Sequence, residues 1–175
     1  MKWFFRISAV IFALFGLIVI VGATQSEVQV IERSAVIDAD AGAVFDQVDD
    51  LRQQARWSHA APGPDVPPSA LAFGQQSGAG ASAAWEGPKG VGSAEILQSV
   101  EPGLVLVSVQ TGARAAVLTY AIAEEGGQTL IVARQEREFG GFPYLDRVAA
   151  KLREGRDTAA IDASLAQLAT LVREA

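Results

Sequence analysis

Cysteine is absent from the 175-residue chain, and histidine occurs once, at His59. The first absence removes disulfides, thiol nucleophiles and thiolate metal sites, and it permits an oxidising compartment without requiring one. One imidazole among unspaced carboxylates makes no recognisable zinc or calcium ligand set, so neither a metal nor a cofactor is expected. Basic runs are missing as well: 14 Lys and Arg stand against 20 Asp and Glu, for a net charge of −6. Phosphate neutralisation needs clustered Lys and Arg, so nucleic acid is not an expected partner. No internal repeat and no second domain boundary is visible. Half of the residues are apolar, enough to build the core of one domain with an appendage.

That appendage is the N-terminus. Lys2 and Arg6 flank Trp3 to Phe5, and an apolar segment follows from Ile7 to Ala23, broken only by small residues and Ser8. At about 1.5 Å per residue it reaches roughly 26 Å, close to a hydrocarbon core of about 30 Å, and Trp3 to Phe5 close the gap. Its eleven Ile, Val, Leu and Phe side chains contribute about −3 to −6 kcal/mol toward insertion. Both positive charges precede the span, so the amino end is expected in the cytoplasm and the domain outside. Residues 1–25 are therefore read as a single-pass signal anchor in the inner (cytoplasmic) membrane, and residues 26–175 as an extracytoplasmic domain. The rival reading is cleavage after Ala23, with Val21 and Ala23 as the small-residue pattern, giving a secreted or periplasmic protein. Retention is preferred because the apolar core exceeds the ~7 to 15 residues of a cleaved signal. A buried core helix fits less well, since the segment has no polar stripe.

Beyond the exit, Val28, Val30, Glu32, Ser34 and Val36 alternate with Gln29, Ile31, Arg33, Ala35 and Ile37, which predicts a strand. Asp38 or Asp40 can cap a short helix or two carrying Val44, Phe45, Val48 and Leu51. Four prolines between Ala61 and Ser69 require an exposed loop. From Leu71 the pattern predicts six strands, about 71–75, 79–86, 91–100, 104–111, 114–123 and 128–139, joined by glycine-rich turns short enough to force antiparallel pairing. Ala116, Leu118, Tyr120 and Ile122 share one strand face, which is expected to meet the C-terminal helix. Pro143 suits a first helical turn before Leu145, Val148, Ala149 and Leu152. Gly155 interrupts, leaving two helices or one kinked helix. Asp157 is placed as an N-cap ahead of the stripe Ile161, Leu165, Leu168 and Val172.

Several short motifs recur in this order: Ser34-Ala-Val-Ile-Asp-Ala39, Ala43-Val44-Phe45, Val48-Asp49-Asp50-Leu51, Trp57-Ser58, Gly78-x-Gly80, Trp85-Glu86-Gly87, Gly92 and Gly141-Phe142-Pro143. In them the chain resembles the SRPBCC (START-like) superfamily, and within it the polyketide cyclase/dehydrase branch, including members with one N-terminal membrane span. The resemblance implies an α+β helix-grip fold, a curved antiparallel sheet wrapped around a long C-terminal helix, here with an N-terminal transmembrane helix. It also implies an apolar cavity used for lipids, sterols, polyketides and other hydrophobic ligands, in some members catalytically. Where relatives often carry an additional aromatic and a proline before the Trp57 position, this chain has Gln54 and Ala55.

The expected function is therefore binding of a hydrophobic small molecule or lipid between sheet and C-terminal helix. Phe45, Trp57, Trp85, Tyr120, Phe142 and Leu165 are the candidates for wall or mouth, and Arg137 for a polar anchor. Trp85 serves equally well as core. No catalytic residue is assigned, because nothing in the sequence orients His59 toward a nucleophile. Gly78 to Ala83 mimic a dinucleotide fingerprint, but strand-like sequence follows where a helix is needed. The alternatives are a polyketide cyclase/dehydratase-like enzyme, which needs an inward-facing acid–base pair, and a structural or assembly module with a filled core.

Overall fold

The structure, a computed structural model, describes residues 28–60, 66–67, 70–87, 90–112, 114–139 and 143–174. The N-terminal span expected over residues 1–25 lies outside them, and no described helix is long and apolar enough to cross a membrane.

Strand β1 (Val28–Ile37) is followed by helices α1 (Ala41–Asp49) and α2 (Leu51–Trp57). Strands β2 (Leu71–Phe73), β3 (Ser82–Gly87), β4 (Gly90–Val100), β5 (Leu104–Thr111), β6 (Arg114–Glu125) and β7 (Gln128–Glu138) then lead to helix α3 (Pro143–Glu174). All seven strands form one sheet in the order β1-β7-β6-β5-β4-β3-β2, every pair antiparallel. The meander runs back strand by strand, and β1 closes the far side by pairing with β7. A register shift between Ile96 and Gln98 adds a bulge to β4, a local bend that helps a sheet to curve.

Alternation decides which face is buried. Ile131 and Ala133 on β7, Leu118, Tyr120 and Ile122 on β6, and Val105, Val107 and Val109 on β5 all point to one side and are buried. Ala83 and Trp85 on β3 and Ala94 and Ile96 on β4 extend that surface. Trp85 lies across its register partner Gly92, where any Cβ would overlap the indole. A bare glycine is thus what lets the ring lie flat on the sheet.

The helices cover this concave side. Asp40 caps α1, accepting from the Gly42 amide at 2.8 Å. Asp50 ends that helix and caps α2, accepting from the Arg52 amide at 2.7 Å. Helix α1 packs its buried Val44, Phe45 and Val48 over β6 and β7 and against α3, while α3 packs on β1. The bulky row of β6 therefore has α1, not only the C-terminal helix, as its cover.

Helix α3 is continuous for 32 residues, about 48 Å, and passes through Gly155 without ending. Asp157 is accordingly not an N-cap: it sits inside the helix, with its carboxylate 3.3 Å from the Arg137 guanidinium. Leu165, Leu168 and Val172 are the buried stripe. Arg33 of β1 clasps Asp162 through two hydrogen bonds of 2.7 and 2.9 Å. Those bonds hold the Asp162 carboxyl below its ordinary value, although so exposed a pair orients α3 more than it stabilises it.

Candidate functional site: a cleft between sheet and C-terminal helix

Between α3 and the Thr111 end of β5 lies a cleft of about 740 Å³, within the ~300 to 1,000 Å³ usual for small-molecule sites. Its walls come from β5, β6, β7, the middle of α3 and residues 57–60 just after α2.

The floor is apolar. Trp57 is buried where α2 ends, its indole N–H donating to the Gln47 carbonyl at 3.2 Å. Its ring meets Tyr120 edge to face, centroids 5.6 Å apart at 72°. Leu118, Ala133 and Leu165 complete this surface. Burial pushes the Tyr120 phenol up to about 12, against the opposing pull of a hydrogen bond with the Ser58 hydroxyl. The phenol is thus neutral at pH 7. Space exists because Ala60, Ala116, Ala133 and Ala160 line the cleft, each placing a methyl group where a longer side chain would fill the hollow. The alanines at Ala81 and Ala83, in the Ala-rich stretch before Trp85, lie instead in the filled core.

The rim is polar. Arg114, Arg137, Arg153, Asp157, His59 and Ser164 reach it from four separate parts of the chain. Ser164 donates its hydroxyl to the Ala160 carbonyl at 2.9 Å and accepts the His59 amide at 3.1 Å. The same oxygen lies 2.5 Å from His59 Nδ1. With the hydroxyl proton on Ala160, that contact is satisfied when Nδ1 carries a proton, which leaves Nε2 as an acceptor. His59 is thereby held at the mouth, exposed, and Ser164 is committed to its own helix and to the residue-59 backbone. No group of three His, Asp or Glu among the described residues could hold a metal ion.

Of the residues singled out from sequence, Trp57, Tyr120, Arg137 and Leu165 line the cleft. Phe45 packs in the core beneath α1, and Trp85 packs over Gly92, both away from it. Phe142 lies outside the described residues. Ser58, Leu118, Ile161 and Ser164 were not among the expected site residues, although Leu118 and Ile161 stood out as same-face partners of Tyr120 and Leu165. Arg114 and Arg153 gave no local signal.

Gln54 is buried near the end of α2. Its side-chain amide donates to the Val48 carbonyl at 2.5 Å, which ties α2 back to α1.

No protein-family model matches this chain, and no curated protein does. Solved structures do. A norcoclaurine synthase point mutant from Thalictrum, in complex with a transition-state analogue, superposes with a TM-score of 0.60 at 17% identity, covering 86% of this chain and 98% of that one. A hypothetical protein from Helicobacter pylori gives 0.63 at 10% identity, over 82% and 88%. A protein of the dynemicin biosynthetic locus gives 0.57 at 12% identity, over 85% of this chain and 48% of that one. At such identities the likeness speaks for the fold alone: this chain has the helix-grip fold, a curved seven-stranded antiparallel sheet closed over a long C-terminal helix.

Proposed function

We propose that this protein is a membrane-anchored, extracytoplasmic member of the SRPBCC (START-like) group, and that it binds a hydrophobic small molecule or lipid in the cleft between sheet and α3. The carrying observation is the roughly 740 Å³ hollow with Trp57, Leu118, Tyr120 and Leu165 on its floor. Apolar surface of this kind is stabilised by an apolar occupant, at about 25 cal/mol per Å² removed from water. The N-terminal apolar segment supports the tether, and a tether is useful because such ligands partition into the bilayer beside the cleft. Cofactors and nucleic acid have no part in this reading.

The test is extraction and mass spectrometry of the full-length protein purified in mild detergent, beside Leu118→Trp, whose added ring occupies the hollow. A defined apolar compound should accompany the natural protein and be depleted from the variant. A natural protein that is consistently empty, and that takes up no apolar probe, would sink the carrier reading in favour of a structural module. N-terminal sequencing of the mature chain separates a retained anchor from cleavage after Ala23.

A second reading, a polyketide cyclase/dehydratase-like enzyme, is favoured by His59 standing at the cleft mouth with Nε2 able to accept a proton. Under it, His59→Ala abolishes turnover of a cleft-bound ligand. Under the carrier reading the same change leaves ligand retention intact.

A further inference from the structure

The cleft carries a charge opposite to that of the protein. The chain has a net charge of −6, yet arginines line this hollow from three elements, and Asp157 is the only carboxylate among the described residues that line it. Strand alternation sorts them. Arg114 shares the inward row of β6 with Leu118 and Tyr120, and Arg137 shares that of β7 with Ile131 and Ala133. Arg153 stands one turn before Asp157 on α3, on the row that continues to Ile161 and Leu165. Arg134 also lines the cleft, but it stands on the alternate row of β7 and its guanidinium is paired with Glu136.

The three inward guanidiniums are incompletely used. Arg114 has no ion pair among the described residues. Arg153 donates Nε to its own helix, at the Ala149 carbonyl, 3.2 Å away. Arg137 reaches Asp157 through a single contact of 3.3 Å, with both side chains about a quarter exposed (27% and 25%). Asp157 therefore offsets one guanidinium loosely and leaves an excess of positive charge over an apolar floor. A guanidinium fork matches the paired oxygens of a carboxylate or phosphate, and it binds them more strongly than a neutral donor would.

We infer that the occupant is an anionic amphiphile, its apolar body against Trp57, Tyr120 and Leu165 and its carboxylate or phosphate monoester held among Arg114, Arg137 and Arg153. This rests on the ligand-binding reading above and specifies the ligand class for it.

The test titrates full-length protein, in nonionic detergent, with three probes of equal chain length: dodecanoate, dodecyl phosphate and dodecanol. Wild type should take at least one of the two anions about tenfold or more tightly than the alcohol, since hydrogen bonds to charged groups outweigh neutral ones by that order. That preference should shrink at high salt and in Arg114→Gln, Arg137→Gln and Arg153→Gln. Arg173→Gln, in the last turn of α3 and away from the cleft lining, should retain it. Tighter binding of dodecanoate assigns a carboxylate, and tighter binding of dodecyl phosphate a phosphate ester. Because micelle partitioning is common to all samples, comparison with the variants removes it. Thermal melts of each variant show whether it folds, and Arg137→Lys separates loss of the fork from loss of charge. If dodecanol binds as well as both anions, the head-group assignment is overturned while the cleft reading stands. If no probe binds, both fall together.

Discussion

Tyr120 carries its hydroxyl to the buried side of the sheet, where the Ser58 hydroxyl meets it and burial raises its ionisation to about 12. A tyrosine in the unfolded chain ionises near 10. Above that pH the unfolded chain gives up a proton that the folded chain keeps. Stability from this group is thus intact below about pH 10 and falls as the pH climbs through the folded value, by about 3 kcal/mol in all. Tyr120→Phe should cost about 1 kcal/mol at neutral pH, through the lost hydrogen bond, yet flatten the alkaline decline. Melting temperatures at about pH 8 and pH 11 decide it, and an unchanged alkaline slope in the variant would contradict the buried-phenol account. Gly92 is the second sensitive position. Its Cα lies under the Trp85 ring, so Gly92→Ala should destabilise by about 1 to 3 kcal/mol as the indole is displaced. Unfolding together with tryptophan emission would register both effects, and a variant as stable as the parent would place Trp85 elsewhere.

At the scale of elements, α3 combines two unlike halves. From Asp157 onward the stripe Ile161, Leu165, Leu168 and Val172 faces the core, whereas Leu152 in the first half is 82% exposed. Gly155 falls near the join, and the periodicity predicted an interruption there. The helix instead continues, because backbone hydrogen bonding and the contacts on both flanks outweigh the roughly 1 kcal/mol penalty of one glycine. A Cβ at this position meets open space. Gly155→Ala should therefore stabilise the protein by about 0.5 to 1 kcal/mol, read as a higher denaturation midpoint with an unchanged slope. A loss of stability would mean that the helix needs to yield at this point. Asp157 was misassigned for the same reason: a carboxylate after a glycine looks like a cap, and only the position of β7 shows that its partner is Arg137.

For the molecule as a whole, an occupant of the cleft stabilises the native state by mass action, about 2.7 kcal/mol at a hundredfold excess over Kd. Stripping full-length protein of bound apolar material should lower its melting temperature by about 5 to 10 °C, and returning the extract should restore it. Identical melts before and after would leave the hollow without an occupant. Cysteine-free composition by itself excluded thiol chemistry, and the family resemblance implied the helix-grip architecture; the local pattern determined the period-two strands, the turn glycines and the stripe on α3. Each of these depends on residues a few positions apart, whose period the backbone geometry dictates. The cleft was legible only in part. Trp57, Tyr120, Arg137 and Leu165 stood out by type, while Phe45 and Trp85 looked the same and went to the core. An aromatic side chain gains from burial in either setting, so its type does not choose between them. The tertiary structure alone made that choice. It set the height of α3 above the sheet through contacts such as Arg33 to Asp162, 129 residues apart, and left small alanines facing one another across the gap. It also gathered Arg114, Arg137 and Arg153 at one mouth, because strand register and helix docking, not local periodicity, bring distant residues together.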